Sequence, residues 1–140
     1  MKNGVINFGI MERVIFGEAA AVAIATEAER IGAKRIFLLV GGTLNRETDE
    51  VKKIISAIGP RFCGLHDNMP AHSPRDAVIE CANAARKSKA DLLVTFGGGS
   101  VTDGGKAVTI CLEHGITDIN GLEPYRTTVD ETGKRHFPEF

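Results

Sequence analysis

The stretch DLLVTFGGGSVTDGGKAVTICL, residues 91–112, joins a strand-like apolar run to a helix-like run through a cluster of glycines. Gly97, Gly98 and Gly99 directly follow the apolar run, and two further glycines lie within the helix-like run. Glycine loses more conformational freedom on folding than any other residue, so such a cluster needs a reason. A tight turn is one possible reason, and a backbone cradle for a phosphate is the other.

The segments on the amino-terminal side of this stretch alternate between strands and helices. The predicted elements are two short strands within 5–16 with a turn near Gly9, a helix over 18–32, a strand over 34–40, a helix over 47–58, a strand over 61–65, a helix opened by Ser73 as N-cap and Pro74 as first helical residue, a strand over 91–96 and a helix over 102–115. We count four parallel strand candidates. This alternation predicts an α/β fold, a Rossmann-like parallel sheet with helices on both faces, preceded by an N-terminal β-hairpin.

Composition excludes several classes of protein. The 140 residues make one ordinary domain with a sizeable core, since 43% are hydrophobic. The 17 basic and 18 acidic residues balance, which argues against nucleic acid as a partner. The three cysteines form no CxxC pair and are expected to be reduced, buried thiols. No signal-like leader or membrane-length apolar run is evident, so we expect a cytoplasmic protein without membrane contact.

A glycine loop between a strand and a helix can bind an anion, because the first helical N–H groups lack partners and the helix dipole is positive there. Ser100 would add a hydroxyl donor, and Lys106 lies within the following helix. Neither Walker A nor the Rossmann GxGxxG motif fits this spacing. Spacing alone therefore leaves both the phosphate cradle and the structural turn open.

The segment GGGSVTDGGKAV, residues 97–108, resembles the GGGSxxDxAK motif of the iron-containing, metal-dependent alcohol dehydrogenases. The order of elements also agrees along the chain, and implies the dehydroquinate synthase-like N-terminal domain of that superfamily. Gly105 departs from the motif, since the family usually has alanine there, and we expect a looser helix with an intact cradle. The resemblance implies that NAD or NADP is the cofactor.

The resemblance also assigns candidate cofactor-binding residues. It places the pyrophosphate on Gly97, Gly98, Gly99 and Ser100. It gives Asp103 a role in orienting the loop or contacting the cofactor, and points Lys106 towards the nicotinamide.

Two more candidate cofactor-binding positions lie outside the motif. Gly41 stands after the strand 34–40, where many members have an aspartate that contacts the ribose, so we expect NADP to be tolerated. His72-Ser73-Pro74 resembles an H-x-P sequence of maleylacetate reductases, a branch of the family, and places His72 either in the active-site cleft or on the surface. Asp103 favours the wider alcohol dehydrogenase group over that branch.

The domain organisation follows from the same resemblance. We predict an NAD(P)-binding domain over 1–140, with a hairpin at about 1–17, alternating units over 18–115 and a polar irregular tail over 116–140. We expect the family's helical carboxy-terminal domain, with its iron or zinc ligands, to lie outside these 140 residues, and we assign no catalytic or metal-binding residue. We therefore expect the cofactor half of a dehydrogenase for a small alcohol or carbonyl substrate, inactive alone. The resemblance also implies a homodimer. The alternative is a stand-alone nucleotide-binding or structural module.

Overall fold

The five apolar residues Ile36–Val40 form strand β3, and all five are buried. A run of aliphatic and aromatic residues suits a strand that is covered on both faces. In the computed structural model, β3 is the middle strand of a three-stranded parallel sheet, between β4 (Phe62–His66) and β5 (Leu92–Phe96). The strand predicted over 34–40 is therefore confirmed.

The structure describes residues 4–6 and 11–136. The remaining strands are β1 (Gly4–Ile6), β2 (Val14–Phe16), β6 (Thr128–Val129) and β7 (Arg135–His136). The helices are α1 (Ala20–Arg30), α2 (Gly42–Glu47), α3 (Glu50–Ile58), α4 (Arg75–Lys87) and α5 (Gly99–Glu113), and 3-10 turns span Gly59–Arg61 and Ile119–Tyr125. No helix in these two ranges is long and apolar enough to cross a membrane.

Helices cover both faces of the sheet, because side chains alternate along β3. Ile36, Leu38 and Val40 pack in one core with residues of α1 and α3. Phe37 and Leu39 pack in a second core with residues of α4 and α5. The fold class is therefore confirmed as an α/β sheet with helices on both faces.

The helix predicted over 47–58 is present as α3 but begins at Glu50, and a separate helix, α2, which was not predicted, precedes it. Thr48 adopts an extended backbone, φ −131° and ψ 168°, which ends α2, and Asp49 is the N-cap residue of α3. The Thr48 hydroxyl donates a hydrogen bond to the Leu44 carbonyl at 2.5 Å and stabilises this break. Helix α3 buries Val51, Ile54 and Ile58 on one face.

The count of four parallel strands was one too high for the part of the chain that the structure describes. The first two strands pair antiparallel with each other, from Gly4 opposite Phe16 to Ile6 opposite Val14, and do not join the parallel sheet. The expected hairpin is therefore present, while its turn near Gly9 lies outside the described residues. The polar tail holds a second hairpin, β6–β7, whose turn contains Gly133 at φ 83°.

Asp91 ties the amino ends of two parallel strands together. Its carboxylate accepts hydrogen bonds from the backbone N–H groups of Lys34, at 2.9 Å and 3.1 Å, and of Arg35, at 2.8 Å. The hydrogen bond from the Arg35 N–H, followed by that from Lys34, holds the pKa of the Asp91 carboxyl below its ordinary value of 3.8. At the opposite edge, β3 and β5 are followed by glycines and β4 is followed by Asp67.

Candidate functional site

The carboxyl ends of β3 and β5 form a topological switch point. The chain leaves β3 towards α3 on one face of the sheet, and leaves β5 towards α5 on the other face. Open α/β sheets bind ligands in the crevice outside such a point. Gly41 and Gly97 are the first residues after the two strands, and the Gly41 N–H donates to the Phe96 carbonyl at 2.9 Å. The structure therefore brings two predicted site residues together.

The three consecutive glycines differ in their surroundings. A Cβ atom on Gly97 would lie 3.0 Å from Val101 Cγ2 and 3.2 Å from the Gly41 nitrogen. Gly97 is therefore a packing glycine, needed because the two strand ends approach closely at this position.

Gly98 and Gly99 have no such internal reason to be glycine. A Cβ on either would have no described atom within 4 Å. Gly98 has φ −85° and ψ −167°, an extended conformation open to any residue. Both residues are exposed. The space beside these two glycines is therefore open, and a ligand could approach the backbone there.

Helix α5 begins at Gly99, three residues earlier than the predicted start at Thr102. The first residue to close a helical hydrogen bond is Thr102, whose N–H donates to the Gly98 carbonyl at 3.1 Å. The N–H groups of Gly99, Ser100 and Val101 precede it and have no intrahelical acceptor. The positive end of a 15-residue helix therefore lies directly beside the open glycines.

The loop between β4 and α4 is attached to this helix start. The His72 N–H donates to Ser100 Oγ at 3.2 Å, and Ser73 Oγ donates to the Ser100 carbonyl at 2.6 Å. His72 and Ser73 have φ values of 65° and 47°, which L residues rarely adopt. Ser73 was predicted to be the N-cap of α4, but Pro74 holds that position. The Ser73 hydroxyl donates its hydrogen bond to the Ser100 carbonyl instead. His72 is exposed at the rim of the glycine loop.

We expect Ser73→Ala to lower the free energy of unfolding by about 1 kcal/mol, because it removes the hydrogen bond to Ser100 while keeping the strained backbone. Ser73→Gly loses the same hydrogen bond but relieves the left-handed strain, so it should be about 1 kcal/mol more stable than Ser73→Ala. Urea unfolding of the three proteins measures both differences. Equal free energies of unfolding for the alanine and glycine variants would contradict the proposal that the backbone at Ser73 is strained.

Asp103 and Lys106 lie one turn further along α5, on its solvent side. Their side chains form an ion pair of 3.2 Å and are 69% and 73% exposed, so no packing holds them in place. The next two glycines face inward: a Cβ on Gly104 would lie 3.0 Å from the Met69 thioether, and one on Gly105 would collide with Thr95 Cγ2. The structure thus gives a packing reason for the departure of Gly105 from the family's alanine.

Sequence reasoning missed a polar cluster beside Gly41. Asp67 follows β4, and its carboxylate accepts hydrogen bonds from Asn45 Nδ2 at 2.8 Å and Arg46 Nη1 at 3.5 Å. A signal was present in the sequence, since Asp67 lies two residues after the strand predicted over 61–65. The partners Asn45 and Arg46 were not predictable, because they lie on the unpredicted helix α2.

The described residues contain no group of three or more His, Cys, Asp and Glu side chains that could hold a metal ion. His66, near the same sheet edge, is buried, and its Nε2 has no hydrogen-bond partner within ranges 4–6 and 11–136. The three cysteines are free thiols. Burial raises the pKa of Cys81 to about 12, so this thiol stays protonated.

Comparison with known proteins identifies relatives for this arrangement. The chain is 36% identical over 104 residues to maleylacetate reductase 2 of Cupriavidus pinatubonensis (strain JMP 134 / LMG 1197), covering 74% of this chain and 28% of the reductase. The fold matches sulfoacetaldehyde reductase from Bifidobacterium kashiwanohense in complex with NAD+, at TM-score 0.63 and 26% identity, over 69% of this chain and 26% of that protein. It also matches an iron-containing alcohol dehydrogenase from Corynebacterium glutamicum ATCC 13032, at TM-score 0.57 and 27% identity, over 68% of this chain and 25% of that protein.

These matches confirm the resemblance read from the glycine motif, and include both the maleylacetate reductase branch and the wider group. The chain spans less than a third of the length of these relatives. The family model for iron-containing alcohol dehydrogenase matches residues 11–136, which is most of the chain. The chain therefore belongs to the iron-containing alcohol dehydrogenase family.

Proposed function

We propose that this chain supplies the dinucleotide-binding part of a metal-dependent alcohol dehydrogenase, and that it binds NAD or NADP at the carboxyl edge of its parallel sheet. One observation carries the proposal: Gly98 and Gly99 are exposed glycines that neither backbone conformation nor internal packing requires. A ligand that must approach the backbone closely is the remaining reason for two residues without side chains.

The residues at this edge suit a pyrophosphate. The N–H groups of Gly99, Ser100 and Val101 donate hydrogen bonds, and the dipole of α5 stabilises the negative charge. The Ser100 hydroxyl already accepts from the His72 N–H, which leaves its own hydrogen to be donated to a phosphate oxygen. The His72–Ser73 loop fixes the start of α5 in this position.

When bound, the nicotinamide supplies a hydride for exchange with an alcohol or carbonyl carbon. We place Lys106 towards the nicotinamide, and Asp103 as the group that holds its ammonium through the 3.2 Å ion pair. His72 lies on the rim of the same cleft. The residues described here offer no metal site, so we derive no step of the reaction through iron or zinc.

The remaining organisation is also proposed. We divide the chain into a hairpin at about 1–17, alternating units over 18–115 and a tail over 116–140, and expect the family's metal to bind in a separate domain. A homodimer through the hairpin is consistent with exposed apolar side chains at Val5, 47%, and Phe16, 43%. The three free thiols are consistent with a reducing, cytoplasmic location.

Titration of the chain with NADH and NADPH, followed by the fluorescence of the bound cofactor, tests the proposal. We expect saturable binding of at least one cofactor with a Kd below about 1 mM. Absence of binding at that concentration would overturn the proposal. We expect no oxidation of alcohols by this chain with NAD(P) and Fe²⁺ or Zn²⁺; detectable turnover would show that it is more than a cofactor-binding part.

A further inference from the structure

Arg46 of α2 places a guanidinium beside the two glycines that follow β3. Gly41, the first residue after β3, has no side chain, and Arg46 folds back along α2 to cover Gly42. A Cβ on Gly42 would lie 2.9 Å from Arg46 Cζ and 2.8 Å from Arg46 Nη1. Because Gly42 has no side chain, the Arg46 guanidinium can occupy the space beside it.

The neighbouring strand holds this guanidinium in place. Asp67 follows β4, which is paired in parallel with β3 up to Leu39 opposite His66. The Asp67 carboxylate is bonded by Asn45 Nδ2 at 2.8 Å and contacts Arg46 Nη1 at 3.5 Å. The Arg46 side chain is 65% exposed, and this carboxylate is its one hydrogen-bond partner within the described ranges. Most of its five N–H donors therefore have no hydrogen-bond partner among the described residues.

In dinucleotide sites the strand next to the glycine loop carries the ribose-binding group at its carboxyl end. A carboxylate there accepts the ribose hydroxyls of NAD, whereas an arginine pairs with the 2′-phosphate of NADP. Here β3 is the strand next to the glycine loop of β5, and its end presents Arg46 with no carboxylate at Gly41. Arginine binds phosphate through two parallel N–H donors, which a point charge does not reproduce.

We propose that Arg46 is a specificity-determining residue that binds the 2′-phosphate of NADP, with Asp67 and Asn45 as positioning residues for its guanidinium. This inference rests on the proposed function, because it places the adenosine ribose at the end of β3. The earlier expectation was only that NADP can bind. Here the Arg46 side chain gives the chain a higher affinity for NADP than for NAD.

The test compares the Kd values of NADH and NADPH for the wild-type chain and for Arg46→Gln. We expect the substitution to raise the Kd of NADPH about tenfold or more and to change that of NADH less than about twofold. The matched control is Arg30→Gln at the end of α1. It also removes one positive charge, together with the ion pairs that Arg30 forms with Glu12 and Glu27. That control should leave both Kd values unchanged.

A second measurement uses fragments of the cofactor as competitors. In the wild type, 2′,5′-ADP should displace NADH at lower concentration than 5′-AMP does, and this difference should vanish in Arg46→Gln. Equal effects of the substitution on NADH and NADPH, or wild-type binding of NADH without NADPH, would overturn this inference and leave the proposed function standing. Binding of neither cofactor by the wild type would instead overturn the proposed function itself, and this inference with it.

Discussion

Gly98→Val is expected to raise the Kd of NADH and NADPH by at least about 30-fold while the chain remains folded. The valine side chain would occupy the open space above the start of α5, where no described atom lies within 4 Å of the added Cβ. A pyrophosphate could then no longer reach the N–H groups of Gly99 and Ser100. Hydrogen bonds to charged groups contribute about 1.5–3 kcal/mol each, so loss of one or two gives this change in affinity.

The control for this variant is Ala57→Val, which adds valine to the exposed face of α3, away from the glycine loop. It should leave the Kd values unchanged. Thermal unfolding of Gly98→Val should show a loss of about 1 kcal/mol or less, because φ −85° suits valine and the cost is that of a poorer N-cap. Unchanged cofactor affinity in Gly98→Val would mean that the glycine loop is not the site.

Gly105→Ala, which restores the residue usual in the family, is expected to destabilise this chain by about 1–2 kcal/mol. The new Cβ would collide with Thr95 Cγ2, and the threonine side chain is stiff because it is branched at Cβ. Overpacking of this kind costs about 1–3 kcal/mol, of which the better helix propensity of alanine returns up to about 1 kcal/mol. Urea unfolding measures the difference, and the Kd for NADH should stay unchanged because Gly105 faces the sheet.

Thr95→Ser provides the partner for a double-mutant cycle, since it removes the methyl group that alanine would meet. In the Thr95→Ser background, Gly105→Ala should be neutral or stabilising, which gives a coupling free energy of about 2 kcal/mol between the two positions. Strictly additive effects would show that the collision does not explain the glycine. The cycle also separates packing from helix propensity, because the propensity change is the same in both backgrounds.

Local patterns were sufficient to predict the parallel sheet and the position of the glycine loop. The aliphatic run at β3 and the stripe of α3 are signals carried by neighbouring residues. The different roles of Gly97 and Gly98 were not predictable, because they depend on how closely β3 and β5 approach. The start of α5 was placed too late because three glycines weaken any helix prediction, although the first turn of a helix tolerates them.

The polar contacts of the site were the least accessible to sequence reasoning. Ser73 carries the pattern of an N-cap, and only the fold reveals that its hydroxyl reaches Ser100 instead. Helix α2 was missed because its six residues begin at Gly42 and are too few to show a period. The contact of Arg46 with Asp67 joins helix α2 to the residue that follows β4, 21 positions along the chain, a separation over which no local pattern acts.

The hydrogen bond from the Gly41 N–H to the Phe96 carbonyl, with Gly97 packed against it, has a consequence for how the site can evolve. Between the ends of β3 and β5 the chain is held by backbone contacts, and the space beside Gly97 tolerates little substitution. The exposed residues of α2 border that floor without supporting it. Under the proposed function, mutations of exposed α2 residues are expected to change the preference for one cofactor over another at little cost in stability, because the scaffold does not depend on them.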